Sequence, residues 1–281
     1  MLTTTDHSRD SAGLTYVYPV ISRRSDGLSI GINLNPNNAC NWRCIYCQVP
    51  NLIRGSSPEI DLQQLKDELD GFLKDVIHGD FYDRKDVAED IRTIKDIAIS
   101  GNGEPTSAEK FDQVVLLIDQ SIRQFHLQSK IKLVLITNGS LAHKKEVQAG
   151  LSSMSKTNGE VWFKLDSATN TGLKNINNAE LSLERVKQNL KIMSALCPIW
   201  LQTCMFKLDG KPPAENELKS YLQFLSWVKE EGLEIKGVLL YSLARQSMQV
   251  EAPRLSAISE EWMNSFADEI GALKFQIKVN P

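Results

Sequence analysis

"IKDIAISGNGEPT", residues 94–106, decides the fold. Its isoleucines at 94, 97 and 99 make a short β-branched run, which reads as a strand. The run stops at a glycine-rich turn closed by Pro105, a strong strand terminator. "FDQVVLLIDQSIRQF" (111–125) follows with apolar residues at helical spacing. "IKLVLITNG" (131–139) is then a second strand, halted by Asn138-Gly139. A strand, a helix and a strand in close succession make a β–α–β unit, whose two strands run parallel.

The same alternation extends both ways. "LSIGINLN" (28–35) is a strand running into "ACNWRCIYCQVP" (39–50), and "DLQQLKDELDGFLKDVI" (61–77) sets Leu62, Leu65, Leu69, Phe72 and Val76 on one helical face. A shorter helix near 142–153 precedes the strand "EVWFKLD" (160–166). "SLERVKQNLKIMSAL" is a helix with Ser182 where an N-cap is wanted. The strand "PIWLQTCMF" (198–206), a helix closed by Gly232, the strand "IKGVLLYSL" (235–243), the helix "SEEWMNSFADEIGAL" and a last strand "KFQIKV" complete the chain. About six βα units in strict order imply an α/β protein with a parallel sheet. The right-handed crossover rule leaves an open doubly wound sheet or a full or partial barrel. The polar stretch "SATNTGLKNINNAE" (167–180) is the longest loop candidate, either a solvated connection or a loop over a site.

The chain has 281 residues, 42% apolar and 24% charged, enough for a large core in one barrel-sized domain. The formal net charge of −3 offers no polycationic surface, so neither a nucleic-acid nor a membrane partner is supported by charge. Arg23-Arg24 and Lys144-Lys145 are the small basic doublets nominated for such a contact. "MLTTTDHSRDSAG" lacks the apolar core of a signal peptide, and no apolar run approaches the ~18 residues of a membrane span. A cytoplasmic setting is therefore expected.

In parallel α/β architectures the chemistry gathers at the carboxyl ends of the strands. Here those ends carry the cysteine stretch, then Gly101-Asn102-Gly103-Glu104-Pro105, Thr137-Asn138-Gly139, and Lys164-Leu165-Asp166-Ser167. Gln202 and Cys204 lie along the next strand, and Tyr241, Ser242 and Arg245 close the sixth. Period-2 alternation sends Val161, Phe163 and Leu165 one way and Trp162, Lys164 and Asp166 the other. A lysine and an aspartate thus face the mouth, either for ligand contact or as a mutual ion pair.

Cys40, Cys44 and Cys47 form a C-x3-C-x2-C triad, one thiolate short of a closed four-ligand site. Cys197 and Cys204 read as small core residues, and the histidines at 7, 78, 126 and 143 are scattered. A [4Fe–4S] cluster on three thiolates leaves one iron open to a ligand, which suits this donor set better than zinc.

At these residues the chain resembles the radical S-adenosylmethionine (SAM) superfamily. Cys40, Cys44, Tyr46 and Cys47 match its C-x3-C-x-φ-C motif, with φ aromatic, and Asn102-Gly103-Glu104 is similar to its "GGE" stretch with Asn in the first place. The resemblance implies a partial (β/α)6 TIM-type barrel over residues 28–245, with an N-terminal extension (1–27) and a C-terminal helix and strand (246–281) packing on it. It further implies that Cys40, Cys44 and Cys47 ligate three irons of a [4Fe–4S] cluster and that SAM chelates the fourth. Tyr46 then lies beside the adenine, Gly103 lets the backbone approach the methionyl ammonium, and Glu104 accepts from that ammonium or braces the turn. Lys164 and Asp166 match positions holding the ribose or carboxylate of SAM, with Asn102, Gln202 and Arg245 as further cofactor contacts.

The implied reaction is one-electron cleavage of SAM to a 5′-deoxyadenosyl radical that abstracts hydrogen from a nucleobase or small metabolite. A flavodoxin or ferredoxin is the expected electron donor. "SGNGEPT", "KLD" and "QTCMF" look most like the small iron–sulfur oxidoreductases related to wyosine-type tRNA-modifying enzymes, although this chain lacks the cysteines for their second cluster. A glycyl-radical-enzyme activase, and a non-catalytic zinc or iron–sulfur binding module, are the alternatives.

Overall fold

A computed structural model describes residues 12–22 and 27–281. Arg23-Arg24 and His7 lie outside the described residues. Eight strands form one sheet: β1 (Val17–Ser22), β2 (Gly27–Ile32), β3 (Ile94–Ile99), β4 (Lys132–Thr137), β5 (Gly159–Lys164), β6 (Ile199–Cys204), β7 (Ile235–Tyr241) and β8 (Ile277–Asn280). They lie side by side in chain order. β1 pairs antiparallel with β2, and every later pairing is parallel. The two edge strands do not pair with each other, so the barrel is open.

The central strands bury one face in the core. Leu28, Ile30 and Ile32 of β2, Ile97 and Ile99 of β3, Leu133 and Leu135 of β4, and Val161 and Phe163 of β5 pack into one core with the helices. The helices of two turns or more are α1 (Leu62–His78), α2 (Phe111–Gln124), α3 (Lys145–Met154), α4 (Asn170–Asn177), α5 (Leu183–Ser194), α6 (Glu215–Glu230) and α7 (Glu260–Ala272). Asp61 caps α1, accepting from the Gln64 amide, and Ser182 caps α5, accepting from Arg185. α1 buries Leu65, Leu69, Phe72 and Val76 as its spacing predicts, together with Leu73.

Three features differ from the sequence reading. Val17–Ser22, drawn inside an extension, is an edge strand of the sheet. Its Pro19, which cannot donate to a ladder, is tolerated there. The C-terminal strand joins the sheet beside β7, so the described parallel run has seven strands. The "loop" 167–180 is mostly helix α4, capped by Thr169, whose side chain accepts from the Gly172 amide. No described helix is long and apolar enough to cross a membrane.

Candidate active site

The carboxyl ends of the strands surround a cavity of about 590 Å³. A smaller hollow of about 300 Å³ beside α1, lined by Leu14, Phe72 and Arg84, contains none of the special residues.

The cysteine loop forms the roof. Cys40 ends a two-residue strand, Ala39–Cys40, paired parallel with Ile53–Arg54. Between those anchors the loop has no ladder of its own, so other elements satisfy its backbone. The carbonyls of Ile176 and Asn177, at the end of α4, accept from Ile45 (2.8 Å) and Arg43 (3.1 Å). On the opposite side the Cys47 carbonyl accepts from the Met248 amide at 2.9 Å, and Ser247 Oγ donates to the Ile45 carbonyl at 2.8 Å. Arg43 and Glu251 add a bidentate ion pair at 3.0 and 2.5 Å. Cys40, Cys44 and Cys47 all line the cavity. The Asn177 side-chain amide donates to Cys44 Sγ at 3.2 Å, and the Trp42 amide to Cys40 Sγ at 3.4 Å. Burial pushes the Cys40 and Cys44 thiols up to about 12, with neighbouring acidic groups adding to it.

The turn after β3 fits under this loop without clearance. A Cβ at Gly103 would lie 1.9 Å from the Ala39 carbonyl oxygen, so only glycine allows the two backbones to meet. Asn33 Oδ1 accepts from the Asn102 amide at 3.0 Å, and Asn102 donates its side-chain amide to Asn38 at 2.6 Å. Its Oδ1 is buried without a partner. Glu104 is the brace of the turn: Oε1 accepts from Thr106 Oγ1 and Thr137 Oγ1 at 2.6 Å, and Oε2 from the Asn138 amide at 2.8 Å. Burial raises its pKa above the usual carboxylate range against those donors.

Lys164 lines the cavity and Asp166 does not. Lys164 Nζ lies 3.3 Å from the Tyr241 hydroxyl and 4.9 Å above the Tyr46 ring. Burial by itself lowers an ammonium pKa, but Asp166 and Tyr241 hold this one above the usual lysine value. Among the described residues no ion pair joins Lys164 to Asp166, so the mutual-pair account fails. Asp166 lies beyond the end of β5 and accepts from the Tyr46 hydroxyl (2.5 Å), Asn177 Nδ2 (2.7 Å) and the Cys204 amide (3.0 Å). The alternation that placed it at the mouth ends with the strand.

Gln202, paired in register with Lys164, also lines the cavity. It is 3% exposed, and its Oε1 has no partner. Arg245 lines the rim. Cys204 is buried as expected of a core cysteine, yet its neighbours are cavity residues, and the Tyr241 side chain hydrogen-bonds its sulfur. Cys197 stays in the main core. The residues missed by sequence reasoning are those that hold the loop, above all Asn177, Ser247 and Asn33. Only Asn33 left a signal: "NLNPNN" crowds four asparagines just before the triad.

The protein-family model described as the radical SAM superfamily matches residues 34–217. Among solved structures, the chain is similar to TYW1 with a lysine–pyruvate adduct bound, at 15% identity and a TM-score of 0.58, over 87% of this chain and 73% of that one. A radical SAM methyltransferase from Sphaerobacter thermophilus matches at 11% identity and a TM-score of 0.58, over 94% and 68%. These identities speak to the fold alone. A curated relative, the GTPase Obg of Brachyspira hyodysenteriae, is 30% identical over 133 residues, 47% of this chain. The match spans only 17% of that relative's length. This chain has no G-x-x-x-x-G-K-[S/T] phosphate loop.

Proposed function

This chain belongs to the radical SAM superfamily, and from that premise we propose that it is an enzyme abstracting hydrogen from a nucleobase or small metabolite. The family uses a [4Fe–4S] cluster and S-adenosylmethionine, which when bound supply reductive cleavage of the sulfonium C–S bond and the hydrogen-abstracting radical.

The residues present fit such a group. Three soft sulfur donors from one loop line the same cavity, and thiolates are the protein ligands of iron–sulfur clusters. Among the described residues no three His, Cys, Asp or Glu side chains converge as one metal ion needs. The observation that carries the reading is the meeting of the cysteine loop with the flush Gly103 turn over one cavity, beside two buried oxygens, on Asn102 and Gln202, that lack hydrogen bonds.

Each side chain then has a task. Cys40, Cys44 and Cys47 bind the cluster, and Asn177 steadies Cys44 through its N–H. Tyr46 gives a flat wall held at a fixed angle by Asp166. Gly103 lets the turn after β3 seat against the cysteine loop. Lys164 would bring a positive charge to the cavity wall, where it can serve an anionic group of the cofactor. Asn102 and Gln202 offer acceptors whose burial without a partner costs about 1–3 kcal/mol each until a ligand donates to them. The open mouth, partly covered by the cysteine loop, limits water at the reacting centre. Flavodoxin or ferredoxin is the reductant in this reading.

Protein reconstituted anaerobically with iron and sulfide, then given SAM and dithionite, is expected to release 5′-deoxyadenosine. Alanine at any one of Cys40, Cys44 or Cys47 should abolish release. An intact cluster that yields none, and whose spectrum ignores SAM, overturns the reading.

A further inference from the structure

The cavity runs far below the cysteine loop. Ser100 and Lys164 line it at the strand ends, and Asp96 and Trp162 line it deeper down. Asp96 comes four residues before Ser100, about 13 Å at the rise of a strand, and Trp162 two residues before Lys164, about 7 Å. Small side chains make the room. Ser29 and Gly31 of β2 pair in register with Asp96 and Ala98 of β3, and all four line the cavity. A Cβ at Gly31 would lie 2.1 Å from Tyr18 Cζ, so the Tyr18 ring of β1 takes the place of a side chain on β2. The Tyr18 hydroxyl reaches Ser100 Oγ at 3.0 Å.

This lower part has a fixed wall and an acidic side. Trp162 Nε1 donates to Glu160 at 3.0 Å, and Glu160 in turn is held by Lys132 and Lys236, so the indole is anchored from below. The described lining holds two acids, Glu104 and Asp96. Glu104 is spent inside its own turn. Asp96 is 8% exposed, and Ser29 Oγ donates to its Oδ1. An ionised carboxylate accepts at about four sites, so that bond does not close it to a ligand. Lys132, its partner in register on β4, turns to Glu160 instead. Gln202, level with Lys164, adds an Oε1 that is buried without a partner. The lower part thus offers acceptors and a flat ring, whereas the cations of the lining, Lys164 and Arg245, stand at or beyond the strand ends.

We propose that this lower part is the substrate subsite, and that it takes a small molecule with a cationic nitrogen group, an ammonium or amidinium, set against Asp96. The inference rests on the reading above and deepens it: the end beneath the cysteine loop is left to the cofactor, and the substrate stands below, held by its charged end. Opposite signs at the two ends sort the ligands, since an anionic group meets Lys164 and a cation meets Asp96. A cation taken out of water needs a carboxylate partner, and a planar amidinium matches the two oxygens of one. The face of Trp162 adds to the attraction.

The test titrates the reconstituted protein with two pairs of probes, benzamidine against benzamide and benzylamine against benzyl alcohol, by ligand-observed nuclear magnetic resonance. Within each pair the shape is alike and only the charge differs. The cation should bind about tenfold more tightly than its neutral partner. Asp96→Asn keeps the shape and an acceptor for Ser29, and should erase that preference. Gln202→Met removes a buried oxygen that lacks a partner, so it should melt no lower than wild type while weakening both cations about threefold. Saturating SAM should leave benzamidine affinity within about twofold, since the two ligands occupy different parts of the cavity.

Equal binding of cation and neutral partner by the wild type overturns the assignment, and so does a preference that Asp96→Asn retains. Displacement of benzamidine by SAM overturns it too, by placing the cation in the cofactor's part. Displacement by total tRNA overturns it in favour of an RNA substrate. Probe binding is read without turnover, so a cluster-bearing enzyme that releases no 5′-deoxyadenosine counts against the enzymatic reading alone, and the titrations still judge the subsite.

Discussion

Two acids near the cavity show how far residue-level reading reaches. Spacing brought Glu104 and Asp166 to the right rim, but not the direction of their carboxylates. Both spend their oxygens inside the protein, because each meets buried donors that would otherwise be orphaned. That makes Asp166 a positioning residue, and a substitution separates this role from cofactor contact. Asp166→Ala leaves the Tyr46 hydroxyl and the Cys204 amide unpaired and takes from Asn177 Nδ2 one of its two acceptors, Cys44 Sγ being the other, at about 1–3 kcal/mol for each orphaned group. Urea unfolding of the metal-free protein should register a loss of about 3 kcal/mol or more. Unchanged stability, with a raised KM for SAM, would instead assign Asp166 to the cofactor. The cysteine triad was legible because ligand spacing is local; the carboxylates were not, because their partners lie far away in sequence.

At the scale of elements, α4 is the instructive miss. Its residues, "NTGLKNIN", show too little apolar periodicity to read as a helix. Tertiary contacts hold it: Glu217 accepts from Ser167 Oγ (2.6 Å) and Thr169 Oγ1 (2.7 Å), and a Cβ at Gly172 would lie 1.9 Å from Ser167 Oγ. The helix end then carries Asn177 to Cys44. Hydrogen bonds to cluster sulfurs raise reduction potential, so Asn177→Ala should lower it by on the order of tens of millivolts. A redox titration followed by electron paramagnetic resonance reads this directly; an unmoved potential removes Asn177 from the tuning of the centre. Among the strands, Glu160 of β5 accepts from Lys132 of β4 (2.7 Å), Lys236 of β7 (2.9 Å) and Trp162 Nε1 (3.0 Å). Burial raises its pKa, but these donors outweigh burial and bring it down from 4.5 to about 2. A carboxylate with a depressed folded pKa stabilises above its unfolded value and loses that contribution as pH falls through the folded one. Glu160→Gln should therefore be less stable than wild type at pH 7, by on the order of 2 kcal/mol given the half-exposed lysines. The gap should close between pH 4.5 and about 2; a gap independent of pH would show that packing rather than charge is responsible.

For the whole molecule, alternating strand and helix periods made the seven parallel strands legible, because each period is set by local side-chain order. The openness of the barrel followed from the family resemblance and not from the periods, since closure depends on pairing between strands from opposite ends of the chain. β1 was not legible, because its Pro19 and antiparallel course break the pattern of the rest. The C-terminal segment poses the remaining question, whether it is an appendage or part of the fold. α7 buries Met263, Phe266 and Ile270 in the main core, with the Phe266 ring 5.8 Å from that of Tyr221 on α6. β8 covers the free edge of β7 from Val238 to Tyr241. Removing residues 258–281 returns those three side chains' apolar partners to water, at about 1.5–3 kcal/mol for each, and leaves a hydrogen-bonding edge bare. The apolar loss alone is on the order of 6 kcal/mol, comparable to the 5–15 kcal/mol that typically holds a domain together. The shortened chain is thus expected to be insoluble or to lack a cooperative thermal transition by circular dichroism. A soluble 1–257 chain that melts cooperatively and still takes up iron and sulfide would show that the barrel ends at β7, with the last helix and strand only resting on it.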